Sequence, residues 1–273
     1  MLLAAALLAL AQAPPSLPAQ PAAPHQPRLI DLPDGAVAYV PASAGEHPPL
    51  LVLLHGAGHG QREGVVHNEP EAEARGIVLL GPSSYGPTWD VVASAEEPPS
   101  PNSPLARRQS DRFSGSRDVD RVEAAIAALS KTVAVDRAHT ALAGISDGAT
   151  FALAMGMLRE HAFSAVIAWS PGIAIRVSSP AHGRRVFVSH GRRDPMLPFN
   201  ETCGEIVPLL QSEGAVVTFL PFDGVHEAPP AVKDAFFDAV FGAVPGAPAH
   251  PLPTTEEKCM RPTHDQRAVG AGV

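Results

Sequence analysis

The chain has 273 residues, of which 45% are hydrophobic, enough to bury the core of an ordinary α/β domain. Its formal net charge of −8 comes without a basic stripe or interleaved aromatic residues, which argues against a nucleic-acid partner. The two cysteines exclude a cysteine-rich scaffold, and the zinc-hydrolase and phosphate-loop motifs H-E-x-x-H and G-x-x-x-x-G-K-[ST] are missing. We therefore expect no cofactor and no metal.

The chain begins with an apolar run, residues 1–11, made almost entirely of Leu and Ala. Ala9 with Ala11, and Ala11 with Ala13, satisfy the small-residue rule for secretory cleavage, so we expect a signal peptide cut near residues 11–13. The alternative is a wrongly chosen start codon, because the run is short and lacks Lys and Arg. It falls well below the ~20 residues that span a bilayer, so no stable membrane anchor is expected. The predicted location is secreted or periplasmic.

Composition divides the rest of the chain into three parts. Residues 12–27 mix Pro with Ala, Gln and Ser and predict an extended linker. Residues 28–242 carry the patterns of a folded domain, whereas residues 243–273 return to Pro, Gly and polar residues, as in a poorly ordered tail. The tail contains Cys259, which can form a disulfide with Cys203 in an oxidising compartment; two free thiols are the alternative.

Short strands alternate with helices through the domain. The predicted strands are residues 28–32, 36–40, 50–54, 77–80, 139–143, 165–169, 185–189 and 215–222. The predicted helices are residues 69–75, 118–130, 149–158, 201–213 and 228–241. Residues 81–117 have few apolar runs and predict a binding loop or a mobile segment, in which Trp89 is either a core anchor or a stacking wall for substrate. Alternating strands and helices predict a doubly wound, mostly parallel sheet.

Residues 144–148 read Gly-Ile-Ser-Asp-Gly, the G-x-S-x-G form of a nucleophile elbow. An apolar strand pattern precedes this segment and an apolar helix pattern follows it. The two glycines allow the sharp turn that exposes a serine hydroxyl at the end of a strand. Since serine is a weak nucleophile without a neighbouring base, Ser146 requires a histidine close by.

Two later segments supply the candidate base and acid. His226 lies between a predicted strand and the last predicted helix, where it can take the serine proton. Asp194 follows a predicted strand at the carboxyl edge of the sheet, where catalytic groups gather, and can hold the imidazole in one tautomer. The competing acid is Asp223, which is less favoured because it lies only three residues before the base.

The developing oxyanion requires two preorganised N–H donors. In this architecture they come from the residue after the nucleophile and from the loop after an earlier strand, which nominates the backbone amides of Asp147 and Ala57. His55, in the same loop, is expected to brace it rather than to act as a second base.

The order Ser…Asp…His is that of an α/β-hydrolase. The chain resembles the phospholipase/carboxylesterase group of these enzymes, near dienelactone-hydrolase-like and polyester-depolymerase-like esterases. The resemblance spans about residues 28–242 and rests on H-G-x-G at 55–58, G-x-S-D-G-A at 144–149, G-x-x-D-x-x-L-P at 191–198 and G-x-H at 224–226.

The resemblance implies an α/β-hydrolase fold without a large lid. It further implies a serine esterase that cleaves small-molecule or polymer-linked carboxylic esters through an acyl-enzyme on Ser146, with His226 as base and Asp194 as acid. Two alternatives share the fold: a noncatalytic binding module, or a peptidase or thioesterase that uses the same triad.

Overall fold

The computed structural model describes residues 26–58, 60–96, 115–158, 160–177, 179–248, 250 and 252. The predicted signal peptide, residues 12–25 of the predicted linker and residues 253–273 of the predicted tail lie outside the described residues.

The described residues contain a single eight-stranded sheet. Its strands are β1 (Arg28–Asp31), β2 (Val37–Val40), β3 (Pro49–Leu54), β4 (Val78–Gly81), β5 (Asp136–Ile145), β6 (Ala165–Trp169), β7 (Arg185–Gly191) and β8 (Val216–Phe222). The spatial order is β1-β2-β4-β3-β5-β6-β7-β8. The β1–β2 and β2–β4 pairs are antiparallel and the other pairs are parallel. This confirms the predicted mostly parallel sheet.

Helices connect the strands. They are α1 (Gln61–His67), α2 (Glu69–Arg75), α3 (Asp90–Glu96), α4 (Arg117–Leu129), α5 (Asp147–Met157), α6 (Phe199–Glu201), α7 (Val207–Ser212) and α8 (Pro230–Phe241), and a π-helical turn, Thr202–Ile206, joins α6 to α7. Within the described part of the chain, none of these helices has the length and apolar character to cross a membrane.

Two elements correct the sequence-based prediction. Helix α3 lies inside residues 81–117, which we expected to be a loop, and α1 was not predicted. Neither helix shows a long apolar stripe, and α1 carries Gly64, so the 3.6-residue pattern is weak in both. Residues 97–114 of the expected loop lie outside the described residues.

Both faces of the sheet are buried, as β3 illustrates. Leu50, Val52 and Leu54 point into the core on the side of α3, α4, α5 and α7, whereas Leu51 and Leu53 point into the core on the side of α1, α2 and α8. Successive side chains of a strand face opposite sides, so a central strand between two helical layers must be apolar at every position. The continuous apolar run 50–54 therefore follows from the doubly wound architecture.

Cys203, in the π-helical turn, is disulfide-bonded. Cys259, the only other cysteine of the sequence, lies outside the described residues. The link between them stays a prediction.

Candidate active site

Ser146 lies in a strained turn between β5 and α5. Its backbone has φ +58° and ψ −124°, which is unfavourable for a residue with a Cβ and is tolerated where the surrounding structure enforces it. Its amide donates to the carbonyl of Trp169, at the end of the neighbouring strand β6, over 2.9 Å. These contacts hold the serine at the carboxyl edge of the sheet, as the predicted nucleophile elbow requires.

The two glycines of the elbow are required by close approach of the backbone. A Cβ on Gly148 would overlap the carbonyl oxygens of Leu54 and His55, and a Cβ on Gly144 would overlap the backbone of Gly148. Helix α5 therefore packs directly onto the end of β3, which brings the residues after β3 beside Ser146.

Asp194 and His226 form a hydrogen-bonded pair at the same edge of the sheet. The Nδ1 atom of His226 lies 2.7 Å from Oδ2 of Asp194, and the Asp194 side chain is fully buried. The other oxygen, Oδ1, accepts the amides of Met196 at 2.8 Å and Leu197 at 3.0 Å. A carboxylate accepts only, so His226 donates from Nδ1 and keeps Nε2 as its basic atom.

The electrostatics of this pair favour an ionised acid. Burial by itself would raise the pKa of Asp194, but the hydrogen bonds from the Leu197 amide, His226 and the Met196 amide outweigh it and hold the pKa below its ordinary value. A charged, buried carboxylate stabilises an imidazolium on His226, which is what general-base chemistry on a serine requires.

The competing acid, Asp223, has a different partner. Its carboxylate pairs with Arg193 at 3.0 Å, and both side chains are mostly exposed. Arg193 also donates its amide to Gly224 over 2.9 Å, so the pair ties the loop after β8 to the loop after β7. Of the two candidates, Asp194 is the one hydrogen-bonded to His226.

The loop that carries His226 passes over the end of β7. A Cβ on Gly191, the last residue of β7, would overlap the carbonyl oxygens of Val225 and Gly224. The chain leaving β8 therefore crosses β7 in the direction of β5, where Ser146 is located. This accounts for the glycine at the start of the G-x-x-D segment.

The two predicted oxyanion donors lie on elements that touch. Asp147 begins α5, where backbone amides of the first turn have no partner within the helix, and Ala57 follows β3, whose residue Leu54 pairs with Gly144. The Asp147 side chain accepts a hydrogen bond from the Thr88 hydroxyl. The role of the two amides stays a prediction.

His55 braces the loop after β3, as expected. Its Nδ1 lies 2.8 Å from the carbonyl of Gly56, and its Nε2 accepts the amide of Ser84 at 3.4 Å.

Trp89 donates from Nε1 to the carbonyl of His55 and stacks on Phe151, and its side chain is fully buried. Trp89 is therefore a core anchor, and the alternative of a stacking wall for substrate is wrong.

Two polar residues near this edge were not singled out from the sequence. Asp118 is fully buried and accepts the amides of Tyr85 and Asp90, which fixes the segment between β4 and α3. Burial raises the pKa of Asp118 despite these bonds. His190, on β7, is buried beside Asp194. Single polar residues of this kind carry no motif, and only the folded loops show their partners.

Two further features lie outside the candidate site. A cavity of about 210 Å³ opens at the opposite edge of the sheet, and it is lined by Pro49, Asp136, His139, Val240 and Phe241. Among the residues that the structure describes, no group of three or more His, Cys, Asp and Glu is placed to hold a metal ion.

Solved esterases share this fold. Esterase PE8 is 22% identical with a TM-score of 0.54, covering 77% of this chain and 100% of that one. Acetyl xylan esterase from Aspergillus awamori is 15% identical with a TM-score of 0.52, covering 79% and 100%. The carboxylesterase of Bacillus cereus is 20% identical with a TM-score of 0.50, covering 76% and 94%. No protein-family model matches the sequence, and no curated protein does. The predicted α/β-hydrolase fold is confirmed.

Proposed function

We propose that this protein is a serine hydrolase that cleaves carboxylic esters through an acyl-enzyme on Ser146. The observation that carries the proposal is the buried Asp194–His226 hydrogen bond of 2.7 Å at the sheet edge where the strained Ser146 turn also lies. A noncatalytic binding module has no use for an ionised buried acid that holds a basic imidazole at a nucleophile elbow.

The chemistry proceeds in two halves. His226 takes the Ser146 proton through Nε2 as the hydroxyl oxygen attacks the ester carbonyl, and Asp194 stabilises the resulting imidazolium. The amides of Asp147 and Ala57 donate to the oxyanion of the tetrahedral intermediate. His226 then gives the proton to the leaving alcohol, and a water molecule activated by the same histidine hydrolyses the acyl-enzyme.

The substrate is a small-molecule or polymer-linked carboxylic ester. The fold is shared with enzymes described as a carboxylesterase and an acetyl xylan esterase, the latter acting on esters of a polysaccharide by its name. No cofactor takes part in the proposed reaction.

Export belongs to the same proposal. Residues 1–11 have the pattern of a signal peptide, and a disulfide at Cys203 fits an oxidising compartment. The mature protein from its native host should begin near Gln12, as measured by mass spectrometry. A retained Met1 would contradict export and leave the hydrolase proposal intact.

The test is turnover of p-nitrophenyl esters of increasing acyl length, together with covalent labelling by a fluorophosphonate. Ser146→Ala should lower kcat by a factor of at least about 10⁴ and abolish labelling, because no acyl-enzyme can form. Ser212→Ala is the matched control, since Ser212 is an exposed serine at the end of α7. Labelling that persists in Ser146→Ala would refute the assignment.

A further inference from the structure

A second imidazole reaches the carboxylate of Asp194. His190 is fully buried on β7, and its Nε2 lies 3.2 Å from Oδ2 of Asp194, the oxygen that also accepts Nδ1 of His226. The same Nε2 lies 3.0 Å from the carbonyl of Leu197. On the other side of the ring, Nδ1 lies 2.7 Å from the hydroxyl of Thr202, which is itself fully buried.

The acceptors around Nε2 indicate which nitrogen of His190 is protonated. Nε2 faces a carbonyl and an ionised carboxylate, which accept only, so Nε2 carries the proton. Nδ1 faces the hydroxyl of Thr202, whose oxygen also lies 3.1 Å from the carbonyl of Pro171, so a neutral ring protonated on Nε2 requires that the one hydroxyl proton go to Nδ1 rather than to Pro171. Burial lowers the pKa of His190 even though the Leu197 carbonyl and Asp194 act in the opposite direction, so the site favours the neutral form of the ring.

Two titratable groups and one nearby arginine shape the electrostatics of the His190 ring. The charges of Asp194 and His226 act on it directly, and the guanidinium of Arg192 lies over the ring of the neighbouring Phe199. Phe199 packs edge-on against His190 at 6.0 Å between ring centres.

Four donors therefore face the carboxylate of Asp194: two amides on Oδ1, His226 on Oδ2, and, 3.2 Å from Oδ2, the single Nε2–H of His190, which is shared with the Leu197 carbonyl at 3.0 Å. Four donors match the number of lone-pair sites on a carboxylate, so its rotation is fixed. Because His190 withdraws electron density from the oxygen that His226 uses, it also limits how strongly Asp194 can stabilise a protonated His226.

We propose that His190 is a positioning residue for the acid of the proposed triad: its neutral Nε2–H group fixes Oδ2 of Asp194 and sets the proton affinity of His226. The proposal rests on the proposed function for its kinetic consequence only. The hydrogen-bond network itself is independent of whether the protein hydrolyses esters.

Two amide substitutions separate positioning from packing. In His190→Gln the side-chain NH₂ reaches the place of Nε2 and keeps a donor for Asp194. In His190→Asn the amide is shorter, reaches only the place of Nδ1 beside Thr202, and leaves Asp194 without that donor. His161→Gln is the control, because His161 is also buried but pairs with Glu123.

We expect His190→Gln to retain most of the activity of the original enzyme. His190→Asn should lower kcat about 10- to 100-fold, because a misplaced acid misorients the base. It should also move the acid limb of kcat/KM to higher pH by about 0.5 pH unit, since a less saturated carboxylate favours protonated His226. A role in packing alone would lower the thermal stability of both variants and leave the acid limb in place.

Nitrogen NMR of protein labelled with ¹⁵N-histidine decides the proposal without any turnover. The original protein should show His190 as the neutral Nε2–H tautomer at pH 7, and His190→Asn should raise the titration midpoint of His226. A neutral Nδ1–H tautomer, a doubly protonated ring, or an unmoved His226 midpoint would overturn the proposal. If these signals are as expected and no ester is cleaved, the network stands and the proposed function fails.

Discussion

Asp194 shows how a buried carboxylate remains charged in this protein. Removing it from water opposes ionisation, yet two amides of its own loop and the imidazole of His226 offset that cost and depress its pKa. The amides come from Met196 and Leu197, so the turn after β7 preorganises the acid before any substrate is bound.

Asp194→Asn therefore has a specific expected effect. An amide at this position can donate to His226 and favour the wrong tautomer, so kcat should fall by about 10⁴ while the fold is retained. Asp223→Asn removes only an exposed ion pair with Arg193 and should change kcat less than about threefold. The measurement is kcat for both variants on one p-nitrophenyl ester. The opposite ranking would make Asp223 the acid.

Glu213 is a buried carboxyl whose pKa is raised, in contrast to that of Asp194. It is 7% exposed at the end of α7, and burial raises its pKa because the Val177 amide and the charge of Arg176 offset the burial only in part. A carboxyl with a raised folded-state pKa costs stability when it is charged. The cost is absent below the unfolded pKa of about 4.3, grows as the pH rises from there to the folded pKa, and is fully present above it.

Glu213→Gln should therefore stabilise the protein at pH 7, since the amide mimics the protonated acid. This gain should shrink as the pH falls towards 4, because the original side chain then becomes protonated as well. Glu205→Gln is the control, as Glu205 is exposed in the adjacent π-helical turn. Thermal unfolding at several pH values measures both variants. Equal effects at residues 205 and 213 would show that burial is not the cause.

At the scale of elements, the elbow is where the packing is tightest. Gly148→Ala would place a Cβ against the backbone carbonyls of Leu54 and His55, which cannot move without separating α5 from β3. We expect a loss of about 3 kcal/mol in unfolding free energy, together with loss of activity, because the turn that holds Ser146 is displaced.

Gly64 provides the matched control for this substitution. It also lies in a helix, α1, but a Cβ there meets nothing within 4 Å. Gly64→Ala should stabilise the protein by about 0.5–1 kcal/mol through helix propensity. Urea unfolding gives both values. A Gly148→Ala protein as stable as the original would contradict the close packing described for the elbow.

The element pattern also explains which predictions from the sequence succeeded. Strands such as β3 and β6 are buried on both faces and appear as unbroken apolar runs, and α5 is buried nearly all round. Helices α1 and α3 cover the sheet with one or a few residues each, such as Val65 in α1 and Val91 and Val92 in α3. Such short contacts leave no 3.6-residue period to detect.

The candidate site was predictable where it depends on backbone geometry. Close approaches of the backbone require glycine at Gly148, two residues after Ser146, and at Gly191, three residues before Asp194. The loop that carries His226 makes the approach at Gly191, so the sequence motifs carry structural information. His190 belongs to no such motif, because a single histidine in a strand cannot be distinguished by sequence from any other polar residue. Its contact with Asp194 depends on the way the loop 194–197 folds back, which no local pattern encodes.

At the scale of the whole molecule, the carboxyl edge of the sheet collects the functional groups. The parallel strands β3, β5, β7 and β8 end at this edge, and the loops that follow them carry the proposed oxyanion loop, nucleophile, acid and base in that order. Two helical layers bury the faces of the sheet, so the polar groups that these strands carry lie in the loops at this edge.

Covalent structure adds one long-range constraint to this architecture. Cys203 is disulfide-bonded, and the only other cysteine, Cys259, belongs to the predicted tail. A bond between them closes a loop of several dozen residues, which includes β8, His226 and α8. The entropy of that loop stabilises the folded state by at most about 4 kcal/mol, and by less if the tail is loosely held.

Reduction should therefore lower the melting temperature of the original protein and leave Cys259→Ser unchanged, because that variant has no bond to lose. His226 lies inside the closed loop, so we expect reduced protein to lose ester hydrolysis at a lower temperature as well. Intact mass after alkylation, with and without reductant, counts the thiols, and thermal unfolding under the same conditions gives the shift. Two alkylated cysteines in protein never exposed to reductant would rule out the link, whereas the Asp194–His226 pair, which is formed between the loops after β7 and β8, does not depend on it.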